Sequence, residues 1–236
     1  PNPLPYLRGG FAEYVFGTGY YGTDRLAGAS GADLTGGARD AAAVGMPGPN
    51  GGLQGTRALV GPDYFYRLPF SVRDLARFSG ALTLIFVSAS QAGASVSLAG
   101  NGDYADTVAK GDHLQVALVG GDVQVFNQPN QPDVFIARHR AGVPRDLANP
   151  EYLAVTIGLA EIVIYRRTAA MAAAEVTRTP CRPAFASADQ LQIGRNVTNT
   201  FWTGSFFASY VGIAQAALTI AELDEHHGAL RDMFAE

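Results

Sequence analysis

Charge is scarce in this chain: of its 236 residues only 16% are Asp, Glu, Lys or Arg, while 47% are hydrophobic. That balance excludes a disordered polyelectrolyte, which has too little apolar surface to offset the entropy of ordering. Acidic residues outnumber basic ones and the net charge is -4. A clustered basic face able to displace counterions from phosphate is therefore missing, and nucleic acid is not an expected partner. Lysine is nearly absent, with Lys110 the sole one, and so is cysteine. Cys181, flanked by Pro180 and Pro183, has no second thiol for a disulfide or a metal knuckle and is expected to be a semi-buried loop thiol. Long hydrophobic runs are lacking too. Ala81 to Val87 is too short, and Tyr152 to Tyr165 too interrupted, for the ~20-residue apolar helix that spans a bilayer, so no membrane partner is expected. Pro1-Asn2-Pro3-Leu4-Pro5 carries neither the basic nor the apolar part of a secretory signal, which points to synthesis in the cytoplasm without a signal peptide.

What is present is a train of short strands. Phe11 to Phe16, Ala58 to Val60, Tyr64 to Leu68, Leu82 to Ser88, Ser95 to Leu98, Leu114 to Leu118, Val123 to Phe126 and Val134 to Arg138 are rich in Val, Ile, Phe, Tyr and Thr. Gly, Pro, Asn or Asp separates them. Gly120-Gly121-Asp122 predicts a tight hairpin, because glycine supplies the positive φ that such turns require. Leu153 to Thr156, Glu161 to Tyr165, Leu191 to Gly194 and Ser205 to Ile213 continue the series, and Ala169 to Val176 reads as one short helix or an insertion. Thr219 to Leu230 is the clearest helix, with a Thr219–Glu222 capping box and an apolar stripe of Ile220, Leu223 and Leu230. The expected fold is all-β, an antiparallel two-sheet jelly-roll sandwich with one short C-terminal helix. It is read as a single domain over 1–236 with a long Gly-rich loop region at 17–50.

The order of these patterns resembles the laminin G-like jelly roll of the concanavalin A-like lectin/glucanase superfamily. Asp33-Leu34-Thr35-Gly36-Gly37 is similar to that family's polar loop after the first strand. Gly55 to Gly61, Tyr64 to Pro69, Gly80 to Val87, Tyr152 to Thr156 and Ile162 to Arg167 resemble its successive strands. Leu191-Gln192-Ile193-Gly194, Trp202-Thr203-Gly204-Ser205-Phe206 and Ala217-Leu218-Thr219-Ile220-Ala221-Glu222-Leu223 resemble its ending most specifically. Two departures stand out: Arg166-Arg167, followed by an alanine-rich insertion, replaces an Asp-Gly turn, and the last strand is longer than usual.

Glycanases of that superfamily alternate two carboxylates along one strand, one to protonate the leaving oxygen and one to attack or activate water. Only Glu222-Leu223-Asp224-Glu225 has that density, and it reads as the solvated start of a helix; Glu13 and Glu161 stand isolated. No Gly-x-Ser-x-Gly elbow or phosphate-binding Gly-rich loop occurs. The chain is therefore expected not to be an enzyme. The neighbours His226 and His227 are expected on opposite sides near a helix end, where a charged imidazole suits the dipole. No cofactor is required by the sequence, but calcium is the candidate ion, since Asn101, Asp103 and Asp106 gather hard oxygen donors in one loop. Asn196-Val197-Thr198 fits a glycosylation acceptor but without export reads as a loop triplet. Loop aromatics stack on sugar faces while amides orient the hydroxyls, which selects Tyr20, Tyr21, Trp202 and Asn199 as candidate ligand-binding residues.

These readings combine into a non-catalytic glycan-binding or attachment and assembly module. Its expected setting is an accessory structural protein of a phage or phage-like particle, on a virion or extracellular particle surface. Its partners would be surface polysaccharide, other virion subunits or further copies of itself. The alternatives are a secreted or cell-surface polysaccharide-degrading enzyme and a purely structural subunit.

Overall fold

The computed structural model describes residues 7, 10–15, 30–31, 33, 35, 37, 39–44, 58–101, 114–127, 136–185, 187–195 and 204–234. In chain order the elements are β1 (Gly10–Val15), β2 (Ser30–Gly31), β3 (Ala41–Val44), β4 (Ala58–Val60), β5 (Phe65–Ser71), α1 (Val72–Ala76), β6 (Leu82–Ala89), β7 (Val96–Gly100) and β8 (Gln115–Val119). They continue with β9 (Asp122–Phe126), β10 (Ala137–Arg140), β11 (Glu151–Ile157), β12 (Glu161–Thr168), β13 (Glu175–Pro180), β14 (Gln190–Ile193), β15 (Phe206–Ala214) and α2 (Ile220–Phe234). One sheet has seven strands in the order β1-β15-β6-β11-β12-β13, with β4 also on β15. The other has eight, in the order β10-β9-β8-β7-β14-β5-β3-β2. Every strand pairing is antiparallel, so the fold is the expected two-sheet sandwich.

The central strands β6 and β11 are buried along their whole length, unlike the half-polar strands of a sheet with one wet face. Alternation explains this, because each face has its own cover. Leu84, Phe86, Leu153, Val155, Ile164 and Ile213 point inward to the second sheet. Ile85, Val87, Ala154, Tyr165 and Tyr210 point outward and pack under Leu218, Leu223 and Leu230 at the C-terminal helix. Each such large side chain contributes roughly 1.5–3 kcal/mol by leaving water.

The helix is capped as its sequence predicts. The Thr219 hydroxyl accepts from Glu222 N at 3.3 Å, while the Glu222 carboxylate accepts from Thr219 N at 2.8 Å. It runs on to Phe234, however, and this changes the reading of its histidines. His226 lies buried within the helix, its Nδ1 3.0 Å from the Tyr152 hydroxyl and its Nε2 3.2 Å from that of Tyr210. Burial, and then the neighbouring His227, push its pKa down to about 4, so it is a neutral packing residue and not a charged partner of the dipole.

Locally the structure decides between two readings and adds one element. Ala169 to Val176 forms no helix: Met171 N donates to Thr168 O at 3.1 Å in a turn, and β13 follows as an edge strand with every second residue exposed. The ladder to β12 explains it, since Arg166 pairs with Glu175 and Ile164 with Thr177. Short α1, capped by Ser71 and Asp74, is an addition to the expected elements, and β2 and β3 occupy part of the Gly-rich region. The Gly120-Gly121 hairpin forms as predicted, with φ of 57° and 98° joining β8 to β9. In the Ile193-Gly194 pair, Gly194 has φ of 95°, and a Cβ there would lie 2.0 Å from Val60 Cγ1. Among the described residues no helix is long and apolar enough to cross a membrane.

Candidate functional site

The inward phase of the seven-stranded sheet changes chemistry at one end. Leu84 and Phe86 of β6 are followed, in the same phase, by Ser88. Leu153 of β11 is preceded by Glu151, and Ile164 of β12 is followed by Arg166 and Thr168. Register aligns them: Glu151 pairs with Ser88 on one side and Thr168 on the other. A row of polar side chains thus crosses three central strands where the apolar interior stops. Arg145, from the segment before β11, closes over this row, and the space between is a pocket of about 310 Å³.

A chain of ion pairs builds the pocket's frame. Glu151 accepts through one carboxylate oxygen from Arg145 Nε at 2.7 Å and through the other from Arg166 Nε at 2.6 Å. Arg145 Nη1 also donates to the Gly121 carbonyl in the hairpin of the other sheet. Arg166 Nη1 donates to Glu175 at 2.9 Å, and His139 Nε2 donates to the same oxygen at 3.0 Å while its Nδ1 meets the Thr177 hydroxyl at 2.9 Å. Burial works to raise the Glu175 carboxyl, but the bonds from Arg166 and His139 outweigh it and hold the group below the ordinary carboxylate value. Arg166 is fully buried, and the side chains of Arg145 and Glu151 are 3% and 4% exposed. Such a network ties strands of both sheets together at the cost of desolvating four charges.

The frame is incomplete. Arg145 Nη2, Arg166 Nη2, Ser90 Oγ and Thr168 Oγ1 are buried and have no hydrogen-bond partner, and all four residues line the one pocket. An unsatisfied buried polar group costs about 1–3 kcal/mol, so native chains rarely gather several without use. Two of these atoms can only donate, and the hydroxyls can donate as well. Donor capacity at this end of the sheet therefore exceeds what the described protein acceptors use.

A second buried polar chain lies on the outer face of the same sheet. Glu13 accepts from Leu7 N, and nearby the Tyr210 hydroxyl leads through His226 to Tyr152. Burial foremost drives the Glu13 carboxyl up to about 7. A general acid needs a shift in that direction, but this carboxyl has no exposed surface.

Most of the sites expected from the sequence, namely Tyr20, Tyr21, Trp202, Asn199, Asp103 and Asp106, lie outside the described residues. Asn101 is buried; its Oδ1 accepts from Leu114 N at 2.6 Å and its Nδ2 faces Asp189 O at 3.4 Å, so it ties the end of β7 to its neighbours. Among the described residues no group of three or more His, Cys, Asp or Glu is arranged to hold a metal ion. Cys181 is a half-buried free thiol, as expected. Asp33 of the polar loop is a turn-former whose carboxylate accepts from Thr35 N and Oγ1 at 3.0 and 2.7 Å. The pocket residues Arg145, Glu151 and Arg166 were not singled out from the sequence as a site. The available signal was a charged residue in the inward phase of an apolar strand, at the position where Arg166 departs from the family pattern.

No protein-family model matches this sequence, and no curated protein matches it. Solved structures do. A Trypanosoma rangeli sialidase superposes with a TM-score of 0.58 at 12% identity, over 97% of this chain and 34% of its own. A GH54 α-L-arabinofuranosidase gives 0.58 at 11% identity, over 86% of this chain and 50% of its own. Domain 4 of AbnA, a GH43 extracellular arabinanase from Geobacillus stearothermophilus, gives 0.53 at 14% identity, over 91% of this chain and 96% of the domain. The chain thus spans a third to a half of the first two. What is shared at these identities is the fold, an antiparallel two-sheet β-sandwich. The expectation that the chain is not an enzyme is corrected by the same finding. The sialidase and the arabinofuranosidase that share the fold are glycoside hydrolases, and the AbnA domain is part of one.

Proposed function

We propose that this chain is a carbohydrate-recognition β-sandwich of laminin G-like type and that the pocket framed by Arg145, Glu151 and Arg166 receives the sugar. The observation that carries the reading is the cluster of four unpartnered buried polar atoms lining one pocket. Saccharides present the dense array of oxygens that such a cluster lacks. The fold supports it: the similar AbnA domain has nearly this chain's extent and was solved in complex with arabinotriose. Attachment to a phage-like particle stays a proposal with no support among the similar structures. Tyr20, Tyr21, Trp202 and Asn199 stay proposed as further contacts.

Ala170 is exposed at the pocket and provides the test. On an array of bacterial and plant oligosaccharides the wild type should be retained, and Ala170→Trp, which fills the mouth, should weaken retention about tenfold or more. Absence of retention of any saccharide, or retention that Ala170→Trp leaves intact, would overturn the assignment. Tyr20→Ala with Tyr21→Ala should weaken the same retention without moving the melting temperature; unchanged retention would remove these rings from the surface.

A further inference from the structure

The pocket's donors are specific enough to name the class of sugar, an inference that rests on the carbohydrate reading above. Glu151 stands between two guanidinium groups and already accepts the Nε of each. Arg145 is further fixed by Gly121 O and Arg166 by Glu175, so both side chains are held rigidly while the third nitrogen of each, Nη2, has no partner. Neither nitrogen can accept, and both belong to cations. The two guanidinium groups are balanced by Glu151 and, from outside the lining, by Glu175 on Arg166, so the preference for an anion rests on the two unused donor nitrogens and not on net charge. Glu175 is not part of the lining, is 23% exposed and is shared with His139. Asp146 at the rim is exposed, and its carboxylate is engaged by Ala148 N at 2.9 Å and Asn149 Nδ2 at 2.8 Å.

An entering hydroxyl would satisfy one donor but bring a proton needing an acceptor, and both Glu151 oxygens are already in use. A carboxylate brings only acceptors, matches donor-only nitrogens, and forms charge-assisted bonds roughly twice as strong as neutral ones. The volume of about 310 Å³ sits at the small end of ligand pockets, which run from ~300 to 1,000 Å³, and so suits one or two sugar rings. We propose that the pocket binds the carboxylate of an acidic sugar residue, a hexuronate within a polysaccharide. Arg145 Nη2 and Arg166 Nη2 donate to its two oxygens, and the Ser90 and Thr168 hydroxyls donate to the adjoining ring and hydroxyl oxygens.

Titration calorimetry on the full chain tests this with trimers of galacturonic, mannuronic and glucuronic acid, their neutral hexose counterparts, and acetate. At least one uronate trimer should bind about tenfold more tightly than its neutral counterpart and than acetate. Thr168→Val, which keeps shape and removes one donor, should weaken that uronate several-fold with a melting temperature no lower than wild type. Arg145→Lys, which keeps the charge but loses Nη2, should abolish the preference for the acid over the neutral sugar. Neutral trimers that bind as tightly as the acids, in a manner sensitive to Thr168→Val, would overturn the acidic-sugar claim and leave the carbohydrate reading standing. Acetate binding as tightly as the trimers would overturn the sugar part of the claim. Uronate binding indifferent to Thr168→Val and Arg145→Lys would move the site elsewhere, and failure of every saccharide to bind would overturn both.

Discussion

The inner face of the seven-stranded sheet has two halves built by the same alternation, and they do opposite things with burial. In one, Leu84, Phe86, Leu153, Val155 and Ile164 exclude water and bring no polar atom with them. In the other, one step along the same strands, Ser88, Glu151, Arg166 and Thr168 are equally inaccessible yet carry charge and hydroxyls. The apolar half gains free energy simply by being buried. The polar half must recover the cost of desolvation through geometry, and it does so only in part, since Arg145, Arg166, Ser90 and Thr168 keep unpartnered atoms. The first half accounts for the existence of the sandwich, and the second is where we propose that it binds a ligand.

The comparison is broken most forcefully by one substitution in each half. Glu151→Ala strands two buried guanidinium groups and should cost about 3–5 kcal/mol in a chemical denaturation curve. Phe86→Ala, which opens a cavity among apolar neighbours, should cost a similar ~3–5 kcal/mol. They part in binding, because folded Phe86→Ala protein should keep its saccharide affinity and Glu151→Ala protein should lose it. Equal affinity in both variants would erase the distinction between the halves.

The outer polar chain gives a smaller effect that depends on pH. Glu13 titrates near 7 in the folded chain against an ordinary 4.5, so its contribution is complete below 4.5 and is lost as pH rises through 7. His226 titrates near 4 against an ordinary 6.5, so its contribution is complete above 6.5 and is lost as pH falls through 4. Each amounts to no more than about 3.5 kcal/mol, and between pH 4.5 and 6.5 the slopes oppose one another. Glu13→Gln should therefore expose a stability that rises with pH across that window, and His226→Gln one that falls. Parallel slopes in the two variants, read from denaturation midpoints, would contradict the assignment.

Asn101→Ala should follow, at about 1–3 kcal/mol, because it leaves the buried Leu114 N–H without its acceptor, and the loss should be the same with and without calcium. A loss seen only with calcium present would support Asn101 as a metal ligand. Ser90→Ala should have the smallest effect on stability, within about 0.5 kcal/mol of wild type or slightly favourable, since the hydroxyl it removes has no partner. A loss above about 2 kcal/mol would show that the hydroxyl is satisfied and belongs to the frame.

The fold was largely legible because its signals are local. Leu82 to Ser88 reads as a strand from β-branched and aromatic content, Gly120-Gly121 as a hairpin from its positive φ, and Thr219 with Glu222 as a helix start from capping chemistry. The stretch from Ala169 to Val176 reads two ways, as a short helix or an insertion, since alanine favours a helix locally and only the ladder to β12 decides between them. The pocket was hidden for a related reason. Gly121, Arg145, Glu151 and Arg166 meet through the pairing of distant strands and the packing of two sheets, and nothing in their spacing along the chain brings them together. Arg166 registered in the sequence only as a departure from a family pattern, yet inward alternation from Ile162 and Ile164 already placed its charge inside the sandwich.

The central claim is that the pocket at the polar end of the seven-stranded sheet is a sugar site, and amide chemical-shift mapping during titration with a uronate trimer tests it most directly. The account predicts that the perturbed amides cluster at Ser88 to Ser90, Val143 to Glu151 and Arg166 to Ala170, with the apolar half of the same strands, including Leu84 and Val155, unmoved. Perturbation centred elsewhere on the chain, with those segments silent, would contradict it.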